Sequence, residues 1–328
     1  MKTLFLHHPY SRPRFEQDFL DRVGELAEFD LVPANLEALA EGRIAGPAGE
    51  LALRGYDAVL VFVAIDRLRT AAALQWGKYG GLRVFVEHDA IQNYSDLFDP
   101  ALKGTWPSIF RKHRFDRMIT SGGEVQRRLA DDGIPADWLP KAFEPLRFRD
   151  SDGPRAGLVS YGSAYRCRLI AERAIIEAGM TVERVPMTPY LELGGVLNRY
   201  LACMAVSSDL LVPVQERDKL AHVPARDIPM QPGLEPMAKF FESAGAGCCP
   251  VADAMQDLTT LGFIDGETAI LFRSHHELVE RLRWWLAHPD DLRALGRAAA
   301  RLATRRHTWQ HRALELRACI ARRLRDRA

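Results

Sequence analysis

Met237 to Asp253 reads MAKFFESAGAGCCPVAD: an apolar helix with one carboxylate, Glu242, then a Gly-Ala-Gly break, then a short apolar run through Pro250 and Val251. Phe240, Phe241 and Ala244 recur at helical spacing and can pack inward, while Glu242 stands near the end that turns into the glycines. A carboxylate held there can accept two hydroxyl hydrogens from a ribose or sugar. Gly245 and Gly247, without side chains, let a ligand approach the backbone. The competing reading is a surface Lys239/Glu242 pair at i,i+3 on an ordinary helix. The Gly-x-Gly at Gly245 is not a dinucleotide fingerprint, because Pro250 takes the third glycine's place and the motif follows a helix instead of opening one.

Upstream, apolar runs alternate with helical stretches. KTLFLHH, FDLVPA, DAVLVFVA and LRVFVEHD read as strands, and Arg14 to about Ala27 reads as a helix. Strands that are apolar throughout and alternate with helices predict a parallel sheet covered on both faces. Ligands on such sheets sit beyond the carboxyl ends of the strands. The residues there are His7 and His8 after the first strand, Ala64 to Asp66 after the third, and His88 and Asp89 after the fourth. A histidine there can hydrogen-bond a bound ligand, and an aspartate can serve as a proton acceptor. The alternative for Asp89 is a helix or turn cap. His7 and His8 are weaker candidates.

RFDRMITSGGEVQRRLADDGIPADWLPKAF, from Arg114 to Phe143, predicts a strand, a Gly-Gly turn into a helix, and a short strand. Phe143 to Pro154 is polar, contains Asp-Gly-Pro and reads as a linker. A second series opens with GLVSYGSAYRCRLIAERAIIEAG: strand, turn at Gly162 and Ser163, helix. Such a turn offers backbone N–H groups and a positive dipole end to a phosphate, with Arg166 and Arg168 as added donors. Beyond it come a strand at VERVPM, a helix through LELGGVLNRYLACMA and a strand at DLLVPV. Gln215 to Gly233 has no periodicity and reads as a long loop, either lining a site or an excursion over the surface.

The 328 residues suit two domains, and 47% apolar content suffices for two cores. A net charge of +1 predicts no general attraction to nucleic acid. The five cysteines form no C-x-x-C pair, so neither a zinc site nor a disulfide framework is expected, in keeping with a reducing cytoplasm. No segment has the length of a signal peptide core or membrane span, which predicts a soluble cytoplasmic protein. The arginine-rich tail is expected to pack back on the first domain. Docking on anionic membrane is the less favoured alternative.

From Met237 to about Arg312 the chain resembles the C-terminal half of GT-B glycosyltransferases, above all the CgeB-like members of the glycosyl transferases group 1 superfamily. The helix there reads roughly R/K-x-F-E-x-x-A-x-G, and Lys239, Phe241, Glu242 and Gly247 fill those places, with Gly245 where the pattern has alanine. GFIDGETAILF, the helical stretch after Ser274, and HTWQHRA from His307 also fit. In the pattern G-R-L-x-x-x-K the lysine falls at Arg168 and the arginine at Ser163. Related retaining enzymes often have two glutamates separated by seven residues, whereas Glu235 and Glu242 are separated by six, so only Glu242 is carried over, as the ribose ligand.

The resemblance implies an α/β GT-B fold, two Rossmann-like parallel-sheet domains facing a central cleft. Residues 1–147 form the acceptor domain, 155–306 the nucleotide-sugar donor domain, and 307–328 a basic helix that crosses back. It implies transfer of a sugar from a nucleoside-diphosphate sugar to an acceptor that is a glycan, lipid-linked molecule, protein or small molecule. His88 and Asp89 would be catalytic, His88 on the transferring sugar as in retaining members and Asp89 as general base if the chemistry is inverting. Glu242, Gly245 and Gly247 would hold the ribose, and Gly162, Ser163, Arg166 and Arg168 the diphosphate, with His7, His8 and Lys239 as weaker candidates. No metal or cofactor besides the donor is expected, since arginine and helix dipole can stabilise the leaving group. The alternatives are a catalytically silent nucleotide-sugar or partner-binding module of the same fold, and a sugar-nucleotide epimerase. Fold alone does not choose among them.

Overall fold

The computed structural model describes residues 1–10, 14–95, 100–185, 188–212 and 214–327. It divides into two units. Met1–Tyr94, Asp99–Pro140 and Trp309–Ala328 form the first, and Ser95–Phe98 with Lys141–Thr308 form the second.

In the first unit the strands are β1 (Thr3–His7), β2 (Asp30–Pro33), the ribbon β3 (Ala45–Gly46) with β4 (Gly49–Glu50), β5 (Ala58–Phe62), β6 (Leu82–Glu87), β7 (Arg117–Thr120) and β8 (Ala136–Trp138). Its helices are α1 (Phe15–Arg22), continued by a π-turn at Val23–Ala27, α2 (Leu36–Ala40), α3 (Ile65–Thr70), α4 (Trp106–Lys112) and α5 (Gly123–Asp131). Six strands pair in parallel in the order β2-β1-β5-β6-β7-β8. The order reverses between β1 and β5, where Phe5 registers with Leu60 and His7 with Phe62. β5 is buried along its whole length, as a strand with helices on both faces must be.

The second unit repeats the plan. Its strands are β9 (Leu158–Ser160), β10 (Glu183–Arg184), β11 (Ala202–Met204), the ribbon β12 (Asp209–Leu210) with β13 (Met230–Gln231), β14 (Cys249–Asp253) and β15 (Ile270–Phe272). Its helices are α6 (Arg166–Glu177), α7 (Leu193–Leu197), α8 (Ala238–Gly245), α9 (Gln256–Thr260), α10 (His275–Ala287) and α11 (Pro289–Arg306). Five strands pair in parallel in the order β10-β9-β11-β14-β15, and here the reversal lies between β9 and β11. The last helix, α12 (Trp309–Arg325), belongs to the first unit.

Two sequence expectations need correction. The helix expected through LELGGVLNRYLACMA ends at Leu197, and Ala202–Met204 is the central strand of the second sheet. Cys203 registers with Val159 on one side and Pro250 on the other, and all three strand residues are buried, so pairing outweighs helical spacing. The strand expected at DLLVPV is only Asp209–Leu210, and it runs antiparallel to β13 outside the parallel sheet. Pro186 and Met187, in the strand expected at VERVPM, lie outside the described residues. The stretch from Gln215 to Gly233 holds 3₁₀ turns at Val214–His222 and Ala225–Asp227 before β13.

The segment expected as a linker packs into the second unit. Phe143 and Phe148 are buried in its core. Asp150 accepts from Arg155 Nη2 and Arg293 Nη2, each at 2.8 Å. Gly245 and Gly247 serve this packing. A Cβ on Gly245 would stand 2.2 Å from the Phe143 ring, and one on Gly247, at φ +69°, would stand 2.3 Å from Asp150 Oδ1. Among the described residues no helix is long and apolar enough to cross a membrane.

Candidate functional site

In the second unit the chain leaves β9 at the sheet's reversal point, through Tyr161 and Gly162. Gly162 adopts φ +79°, in the left-handed region that favours glycine, and the chain turns there before α6 begins at Arg166. Gly162 and Ser163 are exposed, so the turn is open to solvent, and behind it stand two buried cations. A Cβ on Gly162 would lie 3.4 Å from Lys239 Nζ and 3.9 Å from Arg168 Nη1.

Arg168 is 3% exposed. Its Nε donates to Val206 O and its Nη1 to Ser163 O, both at 3.0 Å, and it lies over the Tyr165 ring. Lys239 is 7% exposed, donates to Tyr161 O at 2.5 Å and sits 4.5 Å from that residue's ring centroid. Neither makes an ion pair with a carboxylate among the described residues. Burial, and then the neighbouring Arg168 charge, lower the Lys239 ammonium to a pKa of about 7. Both cations occupy the first turn of a helix, Arg168 on α6 and Lys239 on α8, where the dipole already disfavours positive charge. Two buried cations that form no ion pair among the described residues, with Glu242 the nearby acid that acts on Lys239, stand behind an exposed glycine turn, an arrangement able to hold an anion.

Glu242 lies on α8 one turn after Lys239 and is 4% exposed. Its Oε2 accepts from the Tyr161 hydroxyl at 2.7 Å, and burial followed by this carboxylate pushes the phenol well above its ordinary pKa. Tyr161 thus joins the Lys239 and Glu242 ends of the helix to the glycine turn. Nearby, fully buried Asp253 accepts the N–H groups of Ser207 and Gly233, pinning the exits of β11 and β13 to β14. Glu172 is taken by Ser160 Oγ and Arg184 Nη1. Arg166 points instead to solvent, 3.5 Å from Asp218.

The structure therefore brings Gly162, Arg168, Lys239 and Glu242 together. It sets Gly245 and Gly247 against Phe143 and Asp150, and Arg166 at the exposed edge. Tyr161 was missed by sequence reasoning, although its place beside the Gly-Ser turn was a signal.

In the first unit the ends of β1, β5 and β6 adjoin at the other reversal point. His88 is 3% exposed, and its ring is caged by Phe15, Phe19, Phe62 and Trp309 at centroid distances of 6.1, 5.1, 4.9 and 5.8 Å. Its carbonyl accepts from Ser121 Oγ at 2.5 Å. Asp89 follows, half-buried, with its N–H on Glu87 Oε1 at 3.0 Å. A 3₁₀ turn starts after it, but its side chain makes no cap bond. His7 Nδ1 donates to His8 O, and His8 packs on Tyr10 at 5.1 Å. Burial lowers the pKa of both histidines, that of His8 also because of Arg67 and Arg14. Tyr10 is raised by burial and then by Glu16, Glu87 and Asp89, so these acids share its surroundings. Tyr10, Glu16 and Glu87 were not read from the sequence.

Two parallel-sheet units, each with its ligand-facing strand ends at a reversal point, are the GT-B architecture of nucleotide-sugar glycosyltransferases. The chain belongs to the glycosyl transferase-like family, whose sequence pattern matches residues 153–318, half of its length. No curated protein sequence matches it. Among solved structures it is similar to sucrose-phosphate synthase from Thermosynechococcus elongatus, with TM-score 0.63, 13% identity and all of both chains covered. It is also similar to HepE from Anabaena, solved with UDP and glucose, with TM-score 0.62, 11% identity, 98% of this chain and 99% of that one covered. A third is AviGT4, a glycosyltransferase involved in avilamycin A biosynthesis, with TM-score 0.57, 12% identity and 99% and 98% covered. At these identities the likeness is one of fold.

Proposed function

We propose that the protein transfers a sugar from a nucleoside-diphosphate donor to an acceptor hydroxyl, with the donor diphosphate on the Gly162 turn. The observation that carries this is the pair of buried cations, Arg168 and Lys239, that form no ion pair among the described residues and stand behind an exposed glycine at a helix start. An anion there satisfies both and accepts the turn's N–H groups, Ser163 included. When the glycosidic bond breaks, charge grows on the leaving diphosphate, and the two cations with the α6 dipole balance it without a metal. Glu242, held by the Tyr161 hydroxyl, serves the ribose hydroxyls. UDP in the HepE structure makes uridine the first base to test.

In the first unit Asp89 takes the acceptor's proton. His88, expected to touch the sugar, instead holds the strand end that carries Asp89, because its ring is buried among four aromatic rings; His7 and His8 line the same edge. Calorimetry with UDP and with uridine tests the donor site. Arg168→Ala and Lys239→Met are expected to weaken UDP by about ten- to a hundredfold, the range for a charge-assisted hydrogen bond, and uridine hardly at all. Equal losses for both ligands would remove the diphosphate from this turn.

A further inference from the structure

α11 carries Arg293, Arg297, Arg301 and Arg305 at every fourth position, one stripe of like charge along the helix. Like charges at that spacing repel, and the helix dipole favours only the last of them, near the carboxyl end. Arg293 is consumed by Asp150 and Gly247 O. Among the described residues Arg297 pairs only with Asp152, which is fully exposed. Arg301, Arg305 and, from the facing segment, Arg149 are exposed and make no side-chain hydrogen bond or ion pair among the described residues. Arg149, Arg297, Arg301 and Arg305 line a cavity of about 750 Å³ within the second unit, whose apolar wall includes Leu146, 82% exposed, and whose one carboxylate, Asp150, is already held by Arg155 and Arg293.

We infer that this groove binds a saccharide chain bearing repeated anionic groups, a site apart from the donor turn. Successive arginines rise about 6 Å along the helix, the scale of one sugar residue, so a chain with a carboxylate or phosphate on each unit meets one guanidinium per step. The apolar wall suits the carbon face of a sugar ring. Nucleic acid fits less well, because the groove's one aromatic ring, Phe148, is buried against Tyr190 and leaves no stacking face. A flat bilayer does not enter a concave groove.

Fluorescence anisotropy with a labelled uronic acid hexamer tests this, against a neutral glucose hexamer, a short DNA duplex and phosphatidylglycerol vesicles. The full-length protein is expected to bind the uronate at low salt, at least tenfold more tightly than the neutral hexamer, and to weaken as salt rises. Arg297→Glu/Arg301→Glu, and the milder Arg297→Gln/Arg301→Gln, are expected to lower that affinity tenfold or more. The charge-matched Arg54→Glu/Arg69→Glu on the first unit should stay within twofold. Unchanged UDP affinity in the α11 variants shows an intact second unit and keeps this result separate from the donor reading. Equal losses in the control variant, equal binding of the neutral hexamer, or preference for DNA or vesicles would overturn the inference.

Discussion

Lys239 is buried where a lysine is least stable, and that sets opposite signs for stability and function. Its folded pKa of about 7 lies below the ordinary value of 10.5. Below pH 7 folded and unfolded states both carry the proton, and the folded state bears the full burial cost. Between about 7 and 10.5 the unfolded state binds more protons, so this residue's contribution to stability rises with pH. Lys239→Met is therefore expected to raise the melting temperature at pH 6 while abolishing most UDP affinity, and to flatten the rise between pH 7 and 9. In the wild type, UDP binding should draw in a proton near pH 8, seen as a buffer-dependent calorimetric enthalpy. A melting temperature that falls in the variant would mean that the ammonium is a structural donor to Tyr161 and no ligand for phosphate. Asp89 gives a companion test. Asp89→Asn is expected to lower kcat about a hundredfold with unchanged UDP affinity, whereas a mere cap would cost about 1 kcal/mol of stability and leave turnover near normal.

At the scale of elements, α8 and the turn after it are fixed from behind by the segment following β8. Gly245→Ala sets a methyl into the Phe143 ring, and overpacking of this kind costs about 1–3 kcal/mol. Thermal melts of Gly245→Ala, Phe143→Leu and the double variant should show strong non-additivity, the smaller ring accepting the methyl; additive losses would mean that the backbone moves instead. This contact also marks where sequence reading stops. β1, β5 and β6 were legible because unbroken apolar runs have one use in a sheet covered on both faces, and the Gly162 turn was legible because strand, glycine and helix follow one another. β11 was not, since a three-residue strand after a leucine-rich helix differs from more helix only by its partners Val159 and Pro250. Glycines at 245 and 247 announce close approach without saying to what. Likewise Arg168 could be read as a phosphate donor from its place in a helix start, but its meeting with Lys239 and Tyr161 depends on tertiary folding that no local pattern records.

At the scale of the molecule, the first unit is completed by its most distant segment. Trp309 and Leu316 of α12 are fully buried, Arg317 pairs with Glu28 at 2.7 Å, and Arg323 binds Asp137, which also holds Arg117. Arg323 and Arg117 hold the Asp137 carboxyl below the usual range despite its burial, so the stability they supply is present above the unfolded pKa and is lost as pH falls through the lower folded value. Trp309→Ala is expected to cost about 3–5 kcal/mol, with hydrogen exchange faster in β1, β5 and β6 and little changed in β9, β11 and β14. Uniform acceleration would show that the two units unfold as one. The same closure reverses the usual order of maturation on the ribosome. Lys141–Thr308 emerges as one uninterrupted stretch and can fold as soon as it clears the exit tunnel, whereas the earlier-made sheet must wait, its α1 face uncovered, for the last twenty residues. The unit begun first is thus finished after the one begun second, and a nascent chain stalled before Trp309 should recruit chaperones to the first unit.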